Sequence, residues 1–377
     1  MKSNTHSVKT RLSLSPFLLL ILAGCAEQPD PVVTIPIIQG PWNEINANKL
    51  CENATVHQLS TTSECLIGEI FFFLDYTDEF YILDKSVEKV FRFDSNGDFL
   101  NSIGKTGKGP GEYIRLSDGI LPGGNTIELL TGFPGTEVAT FLTDGTFQSK
   151  RELIECWSSS FVLSPGMNSY FFAQSFLARK ILQIDRSSGA RRDSFLTNVE
   201  GVPTFNLRSF SSFGENAVLF CEPLINKVYE ITSSGIMEKY RLDFGKFSIE
   251  KDPTQEELDQ RMRDPGFWMA LKVLENRNFV YLFTEQNLPA CEPRFQHFLF
   301  RKKDKSLWTL TDETGFSTAL GPAFHMTDTD ELYLYINPSD AMYSKTWLDF
   351  LYSRGLGLQA SDNPVVINLD IKKIIPN

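Results

Sequence analysis

"YILDKSVEKVFRFDSNGDFLNSIGKTGKGPGEY", residues 81–113, decides the fold. Within it "YILD", "KVFRFD" and "FLNSIG" are three short runs that mix apolar and β-branched residues with polar ones, as half-buried strands do. "DSNG" (94–97) separates two of them, and a glycine after polar turn formers supplies the positive φ of a tight hairpin. Upstream, "EIFFFL" (69–74) and "FYILD" (80–84) complete a unit of four short strands joined by turns.

The unit recurs. Strand-like runs begin at Phe80, Thr126, Tyr170, Ala217, Phe279 and Glu331, at intervals of 46, 44, 47, 62 and 52 residues. Glycine turns follow at "TDG" (143–145), "RSSG" (186–189) and "TSSG" (232–235), and "KKDK" (302–305) takes that place in the fifth unit. Four-stranded antiparallel units repeated radially make a β-propeller, here all-β with six blades. An open ring would expose strand edges. The sixth unit has only "PVVINLDI" (364–371) after its second strand, so an N-terminal strand, "TVHQLS" (55–60), is expected to close the ring.

The glycine-rich end of the opening stretch has the look of a phosphate cradle. A P-loop needs GxxxxGK[ST] between a strand and a helix. Here Pro110 stands at the lysine position, Gly111 at the Ser/Thr position, and both flanks read as strands. No nucleotide is expected, and the glycines serve the crossing from the rim of one blade to the inner strand of the next. The crossing would carry Glu112 toward the channel mouth. "DSNGD" (94–98) lacks the spacing of a calcium loop and reads as a hairpin.

The first 24 residues carry Lys2, Lys9 and Arg11, no acid, and an apolar run from Phe17 to Ala23 that ends in "LAGC". This has the form of a secretory signal, and the run is far short of the roughly 20 residues a membrane helix needs. "LAGC" resembles the lipobox of bacterial lipoproteins, which implies cleavage before Cys25 and its acylation. Residues 1–24 are thus expected to be a lipoprotein signal peptide, 25–50 a lipidated tether and 51–377 the propeller. Loss of the three basic residues takes the net charge from −11 to −14, a poor match for nucleic acid or anionic lipid. The other cysteines, Cys51, Cys65, Cys156, Cys221 and Cys291, form no CxxC; Cys51–Cys65 is the most local bridge available and buried free thiols account for the rest. The remaining histidines, His57, His297 and His325, sit in different units without metal-site spacing, and no GxSxG occurs. No metal or other cofactor is expected.

Together "LAGC", "GKGPGEY" (107–113) and "SDNPVVINLDIKK" (361–373) resemble the six-bladed, NHL-like propeller lipoproteins of Bacteroides-type bacteria. The resemblance implies a fold and an outer-membrane location, on the periplasmic side or the cell surface, and carries over no catalytic residue.

In such a ring the turns from strand A to B and from C to D lie on one face. The B–C turns and D-to-A crossings lie on the other. The long segments, 243–266, 285–294 and 337–363, all fall on this second face. Loops vary without disturbing a scaffold, so binding is expected there. Asp252 with Gln255 reads as a helix start running to Arg263, with a possible resumption in "FWMALKVLEN" (267–276); "SKTWLDFLYSRG" (344–355) reads as a second helix capped by Ser344. Candidate binding residues on this face are Lys85, Glu112, Arg115, Arg179, Arg208, Glu222, Trp268 and Arg294, with Phe133, Glu292 and Asp340 beside them. Asp328, Asp330 and Glu331 fall in an A–B turn and read as solvated. The expectation is a membrane-tethered binding or scaffold protein for a glycan, peptide or partner protein; the alternative is a hydrolase or lyase acting on a carbohydrate or lactone at the channel mouth.

Overall fold

The structure, a computed structural model, describes residues 31–376 apart from 39, 41, 77–78, 134, 155, 167, 175–178, 198–207, 214–216, 223–224, 250–252, 265, 288–292 and 313–318. Cys25, Cys291, Glu292 and the signal segment lie outside the described residues.

Six antiparallel sheets form the blades, each in the order A, B, C, D from the axis outward. Blade 1 comprises Ile70–Tyr76, Glu79–Asp84, Lys89–Asp94 and Phe99–Ile103. Blades 2 to 5 repeat this from Leu116, Ser158, Phe210 and Trp268. In blade 6 the inner strand is reduced to His325–Met326, followed by Glu331–Ile336 and Val365–Asp370. Its outer strand is Ala54–Gln58, which pairs Val56 with Ile367 and so closes the ring as expected.

The tether differs from expectation. Val33–Pro36 adds a fifth, parallel strand outside Gly235–Asp243 of blade 4, and Asn43–Asn46 does the same outside Ser306–Thr311 of blade 5. From Val33 onward the segment therefore belongs to the rim, with Ile35, Ile37 and Ile45 buried. Their apolar side chains, spaced along extended chain, are what the sequence offered for that role.

Apolar packing between sheets is reinforced at the seams by buried polar groups. Tyr170 of blade 3 donates to Glu128 of blade 2 at 2.9 Å, and Arg186 reaches the same carboxylate at 2.8 Å. Between blades 4 and 5, fully buried Glu275 accepts from Tyr240 at 2.6 Å and pairs with Lys239 at 3.0 Å and with Lys302. Asp330, expected to be solvated, is buried at φ +72° instead. It accepts from Asn276 and Asn278 at 2.8 and 2.9 Å and pairs with Lys372 at 2.8 Å, tying blade 5 and the C-terminus to blade 6. A buried carboxylate is tolerated because each is so paired.

The hairpin glycines do more than turn. Gly97, at φ +92°, lies against the Gln58 carbonyl of the closing strand, so closely that a Cβ would overlap it. Ser60 donates to the Gly97 carbonyl at 2.8 Å across the same seam. Cys51 and Cys65 are both buried thiols, and the Cys51–Cys65 bridge does not form. Cys65 instead donates to the Ser60 carbonyl at 3.1 Å.

The two insertions sit as placed by the sequence, with one correction. Helix Lys345–Ser353 is capped by Ser344 as expected. Helix Gln255–Arg263 is capped by Thr254 with Glu257 in a reciprocal box rather than by Asp252 with Gln255. "FWMALKVLEN" does not resume the helix; Trp268–Glu275 is the inner strand of blade 5. Its buried residues at 268 and 270 follow the strand period of two, which outweighed helix propensity once a seam was available.

Candidate functional site

The inner strands of all six blades surround an axial channel. Toward the A–B face it widens into a chamber of about 430 Å³. Leu121, Leu163 and Leu274 line it with Ser211 and Ser212, and Thr327, Asp328 and His325 stand at its mouth. A smaller chamber of about 200 Å³ lies toward the opposite face among Phe71, Phe73, Leu271, Phe283 and Tyr335. Arg208, Lys272 and Phe324 border both chambers and form the waist between them.

Arg208 is held there by its own geometry. It precedes the inner strand of blade 4, yet donates across the axis to the carbonyls of Phe73 at 3.3 Å and Gly119 at 3.0 Å. Its guanidinium stacks 5.0 Å from the Phe72 ring centre and lies 3.6 Å from Asp118. Asp118 is fully buried and accepts from the backbone N–H of Phe161 at 2.8 Å and of Gly119 at 2.7 Å. Burial raises its pKa, and the arginine and these donors oppose that shift. The waist is thus a cationic bar whose charge is partly compensated from below.

The residues expected on the loop-rich face do not converge. Lys85 stands 3.9 Å from Glu69, and Arg115 pairs with Glu88 at 3.4 Å. Arg179 donates to Thr197 at 3.1 Å on the rim, and Arg294 begins an exposed strand end in blade 5. Glu222 is buried in a pair with Lys180. Trp268 is buried too, stacked 6.5 Å from Phe244, because its strand places it in the seam of blades 4 and 5. Asp340 accepts from Asn337 at 2.8 Å, and Phe133 stands exposed at a loop tip. Among the described candidates only Arg208 reaches the channel.

Glu112 folds back rather than toward the axis. Its carboxylate accepts from the Gly109 N–H at 2.8 Å and pairs with Lys105 at 3.1 Å. Those contacts, the backbone donor first, lower its pKa. The glycine-rich crossing is thus an anion cradle after all, and the chain's own carboxylate fills it.

Sequence reading missed Lys272, Ser211 and Ser212, and that His325 and Asp328 line one chamber. A usable signal existed: each lies in or beside the run just before a unit's second strand, the position that faces the axis. His297, by contrast, is a core residue, hydrogen-bonded to Tyr281 at 2.8 Å and to the Leu320 carbonyl at 3.2 Å. Among the described residues no cluster of three or more His, Cys, Asp or Glu is placed to hold a metal ion. No helix among them is long and apolar enough to cross a membrane.

Comparison with known proteins agrees with the fold. An exported-protein candidate of Bacteroides fragilis shares 14% identity and superposes with a TM-score of 0.69, covering 90% of this chain and 99% of its own. A DUF4221-family member from Bacteroides vulgatus shares 10% identity at a TM-score of 0.55, covering 84% and 98%. A search of curated proteins gives no match. The resemblance to Bacteroides-type six-bladed propellers is borne out, and over residues 32–369 the chain belongs to the family described as Domain of unknown function (DUF4934).

Proposed function

We propose that this protein is a binding propeller held outside the cytoplasm by acylated Cys25, and that its ligand enters the channel from the A–B face. The observation that carries this reading is the chamber of about 430 Å³, which suits a small molecule or the end of a chain. Its lining joins apolar strand residues to Ser211, Ser212 and His325, with the cations of Arg208 and Lys272 at its floor. Such a floor favours a ligand with a negative group, and the hydroxyls favour a polyol. A glycan or peptide end that bears a carboxylate meets both demands. The LAGC motif supports the anchor, and the −14 charge expected of the mature chain argues against nucleic acid.

The test is a calorimetric screen of the mature chain against uronic-acid sugars, neutral sugars and short peptides. Binding of an acidic member, weakened at least tenfold in Lys272→Met with an unchanged melting temperature, is the expected result. Binding that Lys272→Met leaves unaltered would place the site elsewhere. Turnover of a bound sugar or lactone would favour the hydrolase or lyase alternative.

A further inference from the structure

The smaller chamber, of about 200 Å³, differs from the larger one in the chemistry of its wall. Three blades build it. Blade 1 contributes the phenylalanine run at the start of its inner strand, blade 5 contributes Leu271 and Phe283, and blade 6 contributes Phe324 and Tyr335. Successive residues of a regular strand point to opposite sides. The ladder of blade 1 slips between Ile70 and Phe72, and such a bulge re-aims side chains. Phe71 and Phe72 lie ring to ring at 4.8 Å, while Phe73 turns to blade 6, 4.3 Å from Phe324 and 4.9 Å from Tyr335. All three line the chamber. A Cβ at Gly321 would overlap the Tyr335 ring, so the glycine leaves that ring its place in the wall. Packed in this way, the rings hold the chamber open before any ligand arrives.

This apolar wall ends on cations. Among the described lining residues the polar side chains are Tyr335, Arg208 and Lys272, and none is a carboxylate. Arg208 donates through Nη1 to the Phe73 carbonyl and through Nη2 to the Gly119 carbonyl, and its Nε lies 3.6 Å from Asp118. A guanidinium carries five N–H donors, so one remains on each terminal nitrogen. The Phe72 ring, 5.0 Å away, and the two carbonyls already fix the side chain, so an arriving anion immobilises little that was free. Lys272 adds a second cation to the same waist.

The two halves of the lining select one kind of guest. A neutral apolar molecule would cover the cationic donors without pairing them, and a sugar acid would set its hydroxyls against rings that offer them no partner. A molecule with an anionic head and an apolar body satisfies both. Size limits that body: a cavity of about 150 Å³ takes benzene, so about 200 Å³ admits one ring with a short arm, or a short acyl chain.

We propose that the smaller chamber is a second binding site, for a small apolar carboxylic acid. The carboxylate meets Arg208 and Lys272 at the waist in charge-assisted hydrogen bonds, and the apolar body lies among Phe71, Phe73, Leu271 and Phe283. The site rests on this wall and waist alone, and it holds whether or not the larger chamber takes a sugar or peptide end.

Calorimetric titration of the mature chain tests it, with 3-phenylpropionate and octanoate as acids and 3-phenylpropanol and octanol as their neutral counterparts. At least one acid should bind, roughly tenfold or more tightly than its alcohol, and the better acid tells a ring from an acyl chain. Two half-buried leucines on inner strands separate the chambers: Leu271 lines only the smaller and Leu163 only the larger. Leu271→Trp, which fills the smaller chamber, should weaken the acid roughly tenfold or more, with circular dichroism unchanged. Leu163→Trp should leave that affinity as it is, while weakening any acidic sugar held in the larger chamber. Should Leu271→Trp fail to fold, Phe71→Ala removes a ring from the same wall and is expected to weaken the acid as well. Alcohols bound as tightly as the acids, no binding of either acid at millimolar concentration, or acid binding that Leu271→Trp and Phe71→Ala leave intact would each overturn the proposal. An acid displaced by Leu163→Trp alone would also overturn it, and would leave the larger chamber as the binding site.

Discussion

The two faces of the ring are made from the same repeat and differ in what they expose. On the A–B and C–D face the connections are short, and buried carboxylates such as Glu275 and Asp330 knit blade to blade around the mouth of the larger chamber. On the opposite face the connections lengthen, half the ring presents apolar tips, and the other half carries the polar helix Gln255–Arg263 with Glu256, Glu257, Asp259 and Arg261 exposed. Stability is concentrated on one side and variation on the other. A scaffold can tolerate this only if the knitted face does not depend on the loops.

That division sets the size of the expected effects. Removing Glu275 takes a buried carboxylate partner from Lys302 and from Lys239, which keeps Glu230, and takes the partner from the Tyr240 hydroxyl. Glu275→Ala should cost about 3–5 kcal/mol in denaturant unfolding. A small loss would mean that the seam network is ornamental.

Hairpin glycines give a sharper contrast within one face. Gly97→Ala places a Cβ against the Gln58 carbonyl in a left-handed conformation and should cost about 2–4 kcal/mol. Gly235, at φ +136°, has nothing within 4 Å of such a Cβ, so Gly235→Ala should cost about 1–2 kcal/mol. Equal losses would show that only φ matters and that ring closure does not lean on the hairpin.

His297 adds a pH dependence. Burial holds its pKa down at about 4, below the usual 6.5 or so of a free imidazole. The unfolded chain therefore takes up the proton first, and stability falls as pH drops from about 6.5 toward 4, by at most about 1.4 kcal/mol per unit. His297→Gln, which can still bond Tyr281 and the Leu320 carbonyl, should flatten that slope between pH 7 and pH 5. An unchanged slope would assign the effect to carboxylates.

On the loop face, Phe133→Ser should alter stability by no more than about 0.5 kcal/mol, since it deletes an exposed tip. A larger loss would mean that the tip packs within the ring.

Much of this fold was legible in the chain itself. The spacing of Phe80, Thr126 and Tyr170, with a glycine turn after each, dictates four-stranded blades because only a radial array buries every such unit. "TVHQLS" was identifiable as the closing strand because blade 6 lacked a fourth. Trp268 was misplaced because strand and helix periods overlap in a short apolar run. Arg208 was found, but not its reach across the axis, and Lys272 was passed over because convergence in a channel depends on radial distance. Sequence order does not encode that distance. The exposed apolar tips were invisible for the same reason: Leu66, Ile114 and Trp157 are ordinary residues until the ring brings their loops to one side.

Native-state hydrogen–deuterium exchange tests the division of the faces most directly. The amides of Asn276, Phe279 and Asp330, bonded within the seam between blades 5 and 6, should exchange only near global unfolding, while 104–115, 132–136 and 153–157 exchange by local opening. Equal protection of the two sets would contradict it.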